Sequence, residues 1–187
     1  VINMRHKNYQ LEELLERKPI LLDKTSIFSQ ISRKTILITG AAGSIGSELV
    51  RQAVNFGPDA IVLVDHAETP LFLLMLELQG LAPNAVFYAE LASVTDTVAI
   101  EAIFSRYRPD VVYHAAAYKH VQMMEEAPRQ SIMVNVFGTR IVADLVAKYG
   151  VGTFVMISTD KAVNPANVMG ASKLIAEKYV AALHHSL

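Results

Sequence analysis

The sequence predicts an α/β fold, a doubly wound parallel sheet with helices on both faces. Short aliphatic runs alternate along the chain with longer helical stretches, and a glycine-rich turn follows the first run. Runs that are apolar throughout are typical of parallel strands, because helices cover both faces of such a sheet. Right-handed crossovers then give the strand order 3-2-1-4-5, with a ligand crevice at the carboxyl ends of the strands.

Each element follows from its local pattern. The expected strands are short and apolar, the third being the weakest, and they lie at 34–39, 60–65, 85–89, 110–115 and 152–157. The expected helices lie between them, at 44–56, 68–79, 95–107, 129–149 and 169–182. Residues 1–33 fall outside this alternation and are expected to form a lead-in or linker, with a short amphipathic helix at 9–17 and a connector at 18–23. One domain is therefore expected over residues 34–187.

Composition narrows the function. The 187 residues suffice for one domain with a sizeable core. Apolar residues make up 52% of the chain, in runs far shorter than the roughly 20 residues of a transmembrane helix. A net charge of −1 argues against nonspecific binding to nucleic acid. The chain has no cysteine and its six histidines lack metal-ligand spacing, so neither a disulfide nor a metal site is expected.

A glycine-rich turn joins the first expected strand to the first expected helix. Gly40, Gly43 and Gly46 are spaced Gly-x-x-Gly-x-x-Gly, with Ser44 and Ile45 between the last two. Such a turn lets backbone N–H groups approach a pyrophosphate, and the helix N-terminus adds a favourable dipole. The turn therefore predicts a dinucleotide site, and an ordinary tight connection between strand and helix is the alternative.

Further candidate cofactor contacts lie at the ends of the later strands. Asp65 ends the second strand, where a carboxylate can accept hydrogen bonds from a ribose diol and repel a 2′-phosphate, which favours NAD over NADP. Alternatively, Asp65 caps the next helix. Glu90, with Leu91 beside it, is placed to approach the adenine, although a surface carboxylate explains Glu90 equally well. The remaining candidates are small residues that permit close passage of a cofactor and one amine near its nicotinamide end: Ala115, Ala116, Ala117 and Lys119.

An acid, two amines and several hydroxyls follow the fifth expected strand within sixteen residues. Thr159, Asp160 and Lys161 come directly after the strand, whereas Met169 and Lys173 begin the last helix. An Asp-Lys couple at a strand end predicts acid–base chemistry beside the cofactor, provided that desolvation keeps the amine partly neutral. A solvated surface ion pair is the alternative. A thioether such as that of Met169 has no proton to transfer.

These motifs resemble those of the nucleotide-sugar 4,6-dehydratases of the extended short-chain dehydrogenase/reductase superfamily. More narrowly, they resemble the membrane-anchored polysaccharide-biosynthesis group that acts on UDP-N-acetylglucosamine. The matching stretches are LITGAAGSIGSEL at 37–49, HAAAYKHV at 114–121, NVFGTR at 135–140 and ISTDKAVNPANVMGASK at 157–173. The lead-in LEELLERKPI at 11–20 is similar to the linker before that group's catalytic domain. The resemblance implies a Rossmann-like NAD(P)-binding domain over residues 34–187 and a nucleotide-sugar substrate.

The resemblance also implies a reaction. In that family NAD(P)+ takes a hydride from sugar C4, water is eliminated across C5 and C6, and the hydride returns to C6. By position, Asp160 would be the acid at the C6 hydroxyl and Lys161 the base at C5. Thr159 would hold the C4 oxygen, and Lys173 would orient the nicotinamide ribose. Most of the superfamily has Tyr where Met169 stands, whereas this dehydratase group is similar in having Met.

The chain departs from the family in two places. Glu90 stands where the family usually has Asp, and the chain ends at Leu187, before the carboxyl-terminal lobe that grips the nucleotide sugar. The resemblance therefore implies a part of a larger enzyme that turns over little or no substrate alone and makes no membrane contact itself. The parent is expected to be anchored at the inner membrane, with this domain on the cytoplasmic side, and to serve a polysaccharide such as capsule or lipopolysaccharide.

Three questions stay open at the level of sequence. Ser158, Asp160 or a bound water would have to take the C4 hydroxyl proton in place of Tyr. The competing functions are a nucleotide-sugar 4-epimerase, which needs the Tyr-x-x-x-Lys pair, and a noncatalytic NAD(P)-binding module. The helices at 129–149 and 169–182 are those that the superfamily pairs in dimers, so a homodimer is one expectation, and simple coverage of the sheet is the other.

Overall fold

The computed structural model describes residues 23–186, which form a five-stranded parallel sheet in the order β3-β2-β1-β4-β5. The strands are Thr35–Thr39 (β1), Ala60–Asp65 (β2), Phe87–Leu91 (β3), Val111–His114 (β4) and Thr153–Met156 (β5). The predicted fold class and strand order are confirmed. The helix expected at 9–17 and all but the last residue of the connector expected at 18–23 lie outside the described residues.

Helices cover both faces of this sheet. They are Lys24–Ile31 (α1), Ser44–Ala53 (α2), Glu68–Leu81 (α3), Thr97–Tyr107 (α4), Val121–Glu126 (α5), Pro128–Ser131 (α6), Thr139–Lys148 (α7) and Val168–Ser186 (α8). A π-helical segment, Ile132–Gly138, joins α6 to α7 without a break, so the long helix predicted at 129–149 is present with a π-helical stretch in its first half. Short 3₁₀ turns follow α2 at Val54–Phe56 and β5 at Asp160–Ala162.

The alternation of side chains along the strands builds one apolar layer on each face. Along β1, Ile36 and Ile38 enter one cluster and Leu37 enters the other. The first cluster includes Val50, Ile61, Leu63, Leu71, Leu74 and Leu78, and the second includes Val62, Ile100, Phe104, Val112, Val142 and Leu145. Each fully buried aliphatic or aromatic side chain contributes about 1.5–3 kcal/mol of transfer free energy. With both faces covered, the strand ends are the exposed part of the sheet.

The described residues before β1 belong to the same packed unit. Asp23 begins α1, because its Oδ1 accepts the N–H groups of Thr25 at 3.1 Å and Ser26 at 3.2 Å. Ile27 and Ile31 then pack into the first apolar cluster. The sequence pattern predicted no element here and no helix at α5, since both helices are short.

Strand β3 lies two residues later than the pattern predicted. Ala85 is in a turn, where its N–H donates to the Ala82 carbonyl at 3.1 Å. The strand then pairs with β2 as far as Leu91, which lies opposite Asp65. Because the end of this strand is displaced, the residues that follow it at the ligand edge are displaced as well.

Candidate functional site

A cavity of about 640 Å³ opens at the carboxyl ends of the strands. It is bounded by the turns after β1, β2, β4 and β5 and by the start of α8, as the doubly wound topology requires. Fifteen of the residues singled out in the sequence line it: Gly40, Gly43, Ser44, Ile45, Gly46, Asp65, Ala115, Ala116, Ala117, Lys119, Ser158, Thr159, Lys161, Met169 and Lys173. Glu90, Leu91 and Asp160 do not line it.

The glycine turn is compact enough to exclude side chains. Gly40 has φ of +65°, and a Cβ on it would lie 2.6 Å from the backbone nitrogen of Ala116. A Cβ on Gly46 would lie 2.0 Å from the carbonyl oxygen of Gly40. No side chain caps the first turn of α2, where Gly43 is the N-cap. The N–H groups of this first turn are therefore available to bind an anion, and the pyrophosphate of a dinucleotide is a suitable one.

Asp65 ties two turns of the cavity together. The side chain is buried, Oδ2 accepts the N–H of Ala42 at 3.0 Å, and Oδ1 accepts the N–H of Ala67 at 3.0 Å. Ala67 is the residue before α3, and no side chain caps that helix, so the capping alternative does not describe Asp65. The carboxylate fixes the glycine turn and still faces the cavity, where a ribose would lie.

Glu90 and Leu91 lie away from the cavity because β3 ends later than predicted. Glu90 Oε1 accepts the hydroxyl of Tyr107 at 2.6 Å and Nη1 of Arg106 at 3.1 Å. Leu91 is 59% exposed. Their expected places are taken by the next three residues, Ala92, Ser93 and Val94, which sequence reasoning missed. Had the third strand been predicted to end at Leu91, these three residues would have been the candidates at its carboxyl end.

Asn135, in the middle of the π-helical segment, holds the loop after β4. Its Oδ1 accepts the N–H of Tyr118 at 2.8 Å, and its Nδ2 donates to the Tyr118 carbonyl at 3.0 Å and to Ser172 Oγ at 2.9 Å. Ser172 Oγ in turn donates to the Met169 carbonyl at 2.7 Å. Asn135 is fully buried, so it is not a helix-surface residue. One amide thus joins the π-helical segment, the loop after β4 and helix α8, and π segments recur at functional sites.

His114 is a neutral group beneath the cavity. Its Nδ1 lies 2.7 Å from Thr39 Oγ1, and its Nε2 lies 3.0 Å from Thr139 Oγ1. The Thr139 hydroxyl donates to the Asn135 carbonyl at 2.6 Å, so it accepts from Nε2–H, and Nδ1 accepts from Thr39. Complete burial, followed by the nearby charge of Lys173, lowers the pKa of His114 to about 3. The imidazole is therefore structural, and at neutral pH it is uncharged, with its one proton on Nε2.

The Thr159–Lys161 turn presents an ion pair at the rim of the cavity. Asp160 Oδ1 accepts Nζ of Lys161 at 3.2 Å and the Thr159 hydroxyl at 3.0 Å. The bond from Lys161 is the main reason that the pKa of Asp160 lies below its usual value, and the Thr159 bond adds to it. The Asp160 side chain is 85% exposed and that of Lys161 50%. Thr159 and Lys161 line the cavity, while Asp160 points from its edge.

Helix α8 supplies the wall opposite the glycine turn. Met169 and Lys173 are each only 4% exposed. Lys173 Nζ donates to the Ile157 carbonyl at 2.6 Å. Burial lowers the pKa of Lys173 to about 8, against the opposing influence of Glu177. The helix therefore contributes an amine that is charged at neutral pH and close to losing its proton.

A third amine, that of Lys119, reaches across the mouth of the cavity. Lys119 Nζ, from the loop after β4, donates to Ser44 Oγ in the glycine turn at 3.4 Å. With Lys161 and Lys173, it places positive charge around the side of the cavity that faces the first turn of α2. The positive charge of these three amines favours an anionic ligand.

A family model described as "Polysaccharide biosynthesis protein" matches residues 36–187, which is most of the chain. The chain belongs to this family. The probable polysaccharide biosynthesis protein EpsC of Bacillus subtilis (strain 168) is 46% identical over 175 residues, covering 93% of this chain and 29% of EpsC. The chain thus spans less than a third of that relative's length, and the same holds for CapD of Staphylococcus aureus, at 30%.

Several further relatives of the chain are nucleotide-sugar enzymes. The UDP-N-acetylglucosamine 4,6-dehydratase (inverting) of Campylobacter jejuni serotype O:2 is 35% identical over 153 residues, covering 81% of this chain and 44% of that enzyme. The Bordetella bronchiseptica enzyme WbmG, in complex with NAD, has a TM-score of 0.69 at 27% identity, over 81% of this chain and 50% of WbmG. UDP-glucose 4-epimerases also match. The predicted family is confirmed, and relatives are dehydratases and epimerases alike.

None of the helices within residues 23–186 combines the length and hydropathy that crossing a bilayer requires.

Proposed function

We propose that this chain is the cofactor-binding part of a nicotinamide-dependent UDP-N-acetylglucosamine 4,6-dehydratase of polysaccharide biosynthesis. One observation carries the proposal: a single cavity unites the glycine cradle with Thr159, Lys161 and Lys173, while a buried Met169 occupies the first turn of α8. A plain dehydrogenase has no use for an Asp-Lys couple beside its cofactor. An elimination needs both an acid and a base there.

The cradle accounts for cofactor binding. The first-turn N–H groups of α2 and the amine of Lys119 would hold the pyrophosphate, and Asp65 would accept the hydroxyls of the adenosine ribose. Lys173 would donate to the nicotinamide ribose. When bound, NAD(P)+ supplies the hydride acceptor and donor of the reaction. The carboxylate of Asp65 disfavours a 2′-phosphate, which is the reason to favour NAD.

The Asp160–Lys161 pair holds the protons that elimination has to move. In the free protein the two side chains form an ion pair, whereas an acid at C6 and a base at C5 require the proton to be on Asp160 and not on Lys161. A sugar that covers the pair removes it from water, and desolvation disfavours both charges. Transfer of one proton from Lys161 Nζ to Asp160 Oδ1, over the 3.2 Å that separates them, then produces a neutral acid and a neutral base. The exposed rim position leaves room for that sugar.

Thr159 is placed to hold the C4 oxygen. Its hydroxyl lines the cavity next to the buried Lys173, and its present acceptor, Asp160 Oδ1, belongs to the pair that substrate would rearrange. Met169 cannot take the C4 hydroxyl proton. In this scheme Asp160 has already taken the proton of Lys161, so of the three candidates Ser158 and a bound water remain to accept the C4 hydroxyl proton.

Two other functions fit the fold. An epimerase shares the cavity and the C4 oxidation, but it needs a proton-transfer group at the position of Met169, and Asp160 and Lys161 would have no task. A noncatalytic binding module is compatible with Met169 and with the departure of Glu90 from the cavity. It leaves the buried amine of Lys173 and the adjacent ion pair without a function.

The test is a product assay on the complete protein in which this chain occurs, with the chain alone assayed in parallel. Incubation with NAD+ and UDP-N-acetylglucosamine is expected to yield a nucleotide sugar lighter by one water, detected by mass spectrometry. Asp160→Asn and Lys161→Met should each abolish it while NAD+ binding persists. A product of unchanged mass would identify an epimerase, and NAD+ binding without any product would identify a binding module. The chain alone is expected to bind the cofactor with little turnover.

Assembly and location extend the proposal. Ile132 on the π-helical segment and Ile175 on α8 are 42% and 50% exposed, and Met133 and Phe137 lie on the same segment as Ile132. These residues would form a homodimer interface, whereas Leu145 is buried in the core and only covers the sheet. The parent protein would carry this domain on the cytoplasmic side of the inner membrane.

A further inference from the structure

Helix α8 makes side-chain hydrogen bonds to the two residues that directly follow β5, Ile157 and Ser158. Lys173 Nζ donates to the carbonyl of Ile157 at 2.6 Å. One helical turn later, the carboxylate of Glu177 accepts the hydroxyl of Ser158. Residues four apart share one helix face, so the amine and the carboxylate act side by side. The next three residues of the chain are those of the Thr159–Lys161 turn.

The charge of Glu177 also acts on Lys173. Burial pulls the pKa of the amine down to about 8, and the carboxylate is the group that opposes this. Of the other ionisable side chains nearby, His114 on β4 is neutral, because its pKa is about 3, and Lys161 is paired with Asp160 at 3.2 Å. An amine that is 4% exposed thus has one carboxylate, on its own helix, to keep it charged.

We propose that Glu177 is a positioning residue of this site: through Ser158 it fixes the strand end that leads into the Thr159–Lys161 turn, and through its charge it keeps Lys173 an ammonium directed at the nicotinamide ribose. The inference rests on the proposed function, since a bound nicotinamide nucleotide gives the placement of Lys173 its purpose. Glu177 itself touches neither cofactor nor sugar in this scheme.

Two substitutions separate the two contributions. Glu177→Gln removes the charge but keeps an oxygen that accepts the Ser158 hydroxyl. Ser158→Ala removes the hydrogen bond but keeps the charge. Glu101→Gln is the matched control, because Glu101 is a helical glutamate on α4 that pairs with Lys148 at 2.5 Å on the surface. Glu177→Asp is a fourth variant, which retains the charge on a shorter side chain.

The first readout is urea unfolding of the chain without ligand, between about pH 6 and pH 10. Because the folded pKa of Lys173 is lowered, its contribution to stability rises as pH increases through the folded pKa towards the unfolded one. In Glu177→Gln this rise should begin at a lower pH than in the wild type, because the carboxylate that raises the pKa of Lys173 is gone. Ser158→Ala should lose stability equally at every pH, and Glu101→Gln should follow the wild-type profile. A Glu177→Gln profile that overlays the wild type overturns the inference.

Should Glu177→Gln fail to fold, Glu177→Asp decides: its shorter side chain holds the charge farther from Lys173, so the profile should shift towards lower pH, and an unshifted profile contradicts the inference. The second readout is calorimetric titration of the same proteins with NAD+. Glu177→Gln should weaken NAD+ binding several-fold more near pH 8 than near pH 6.5, where Lys173 is charged in both proteins. A loss that is equal at both values points to a merely structural glutamate and overturns the inference. Wild-type protein that binds neither NAD+ nor NADP+ contradicts the proposed function and this role together, although the urea profiles would still reveal the charge coupling.

Discussion

A Cβ atom on Gly170 would lie 2.1 Å from the carbonyl oxygen of Lys161, so helix α8 meets the Thr159–Lys161 turn at a distance that only glycine permits. This contact fixes the distance between helix α8 and the Thr159–Lys161 turn at the edge of the cavity. Together with the bond from Lys173 Nζ to the Ile157 carbonyl, it packs the last helix against the segment that follows β5. The geometry of the proposed acid and base therefore depends on a residue that carries no functional group.

Gly170→Ala should displace the turn and lower the free energy of unfolding by about 2 kcal/mol, because the new methyl group meets backbone that has no rotamer to change. Gly80→Ala is the matched control. Gly80 lies in α3 with nothing within 4 Å of its virtual Cβ, so the alanine there should be neutral or stabilise by up to about 1 kcal/mol. Urea unfolding of both variants checks this pair. Equal effects of the two substitutions would contradict the importance of the close approach.

Strand β2 and the glycine turn show how far the sequence alone could lead. The uninterrupted aliphatic run of β2 left one choice for the bounds of the strand, and the structure has the strand at the predicted residues, Ala60–Asp65. A weak run such as that of β3 leaves its ends to be decided by pairing with a neighbour, which local pattern does not contain. The same limit applies to Asn135. Its amide contacts Tyr118 and Ser172, far away in sequence, through a π-helical segment that no spacing rule signals. Site residues that directly follow a well-defined strand could be predicted, and positions that depend on long-range pairing or contacts could not.

His114 should make the protein sensitive to acid. The pKa of His114 falls from 6.5 in the unfolded chain to about 3 in the folded protein. Between these two pH values the unfolded chain therefore binds a proton at His114 that the folded protein does not bind. The stabilisation is fully present above pH 6.5 and is lost as pH falls towards 3, by at most about 5 kcal/mol. His114→Gln should flatten the dependence of unfolding free energy on pH in this window. His184→Gln, near the exposed end of α8, should leave the slope unchanged, and a slope shared by all three proteins would contradict the prediction.

Lys173 should cost stability at neutral pH. The lowering of its pKa from 10.5 to about 8 corresponds to roughly 3 kcal/mol, partly offset by the hydrogen bond to Ile157. Because the folded pKa is the lower one, the wild type recovers this stability as pH rises from about 8 to 10.5. Lys173→Met should therefore be more stable than the wild type at pH 7, with a difference that shrinks on going to alkaline pH, and it should lose NAD+ binding. Lys178→Met, on the exposed side of the same helix, serves as control. A variant less stable than the wild type at pH 7 would show that the hydrogen bond outweighs the burial of charge.

Asp65 should decide the choice between NAD+ and NADP+. Its carboxylate lines the cavity at the end of β2, where a 2′-phosphate on the adenosine ribose would meet a like charge. Asp65→Asn keeps an oxygen for one of the two N–H groups, of Ala42 and Ala67, that the carboxylate accepts. Calorimetric titration should show the wild type binding NAD+ more tightly than NADP+. The variant should narrow the ratio of the two affinities about fivefold, since removing one like-charge contact at the edge of an open cavity is worth on the order of 1 kcal/mol. Asp96→Asn, at the N-cap of α4, is the control for removal of a carboxylate outside the cavity. If the ratio of affinities is the same in all three proteins, the carboxylate of Asp65 serves only to hold the two turns together, and cofactor preference is set elsewhere in the cavity.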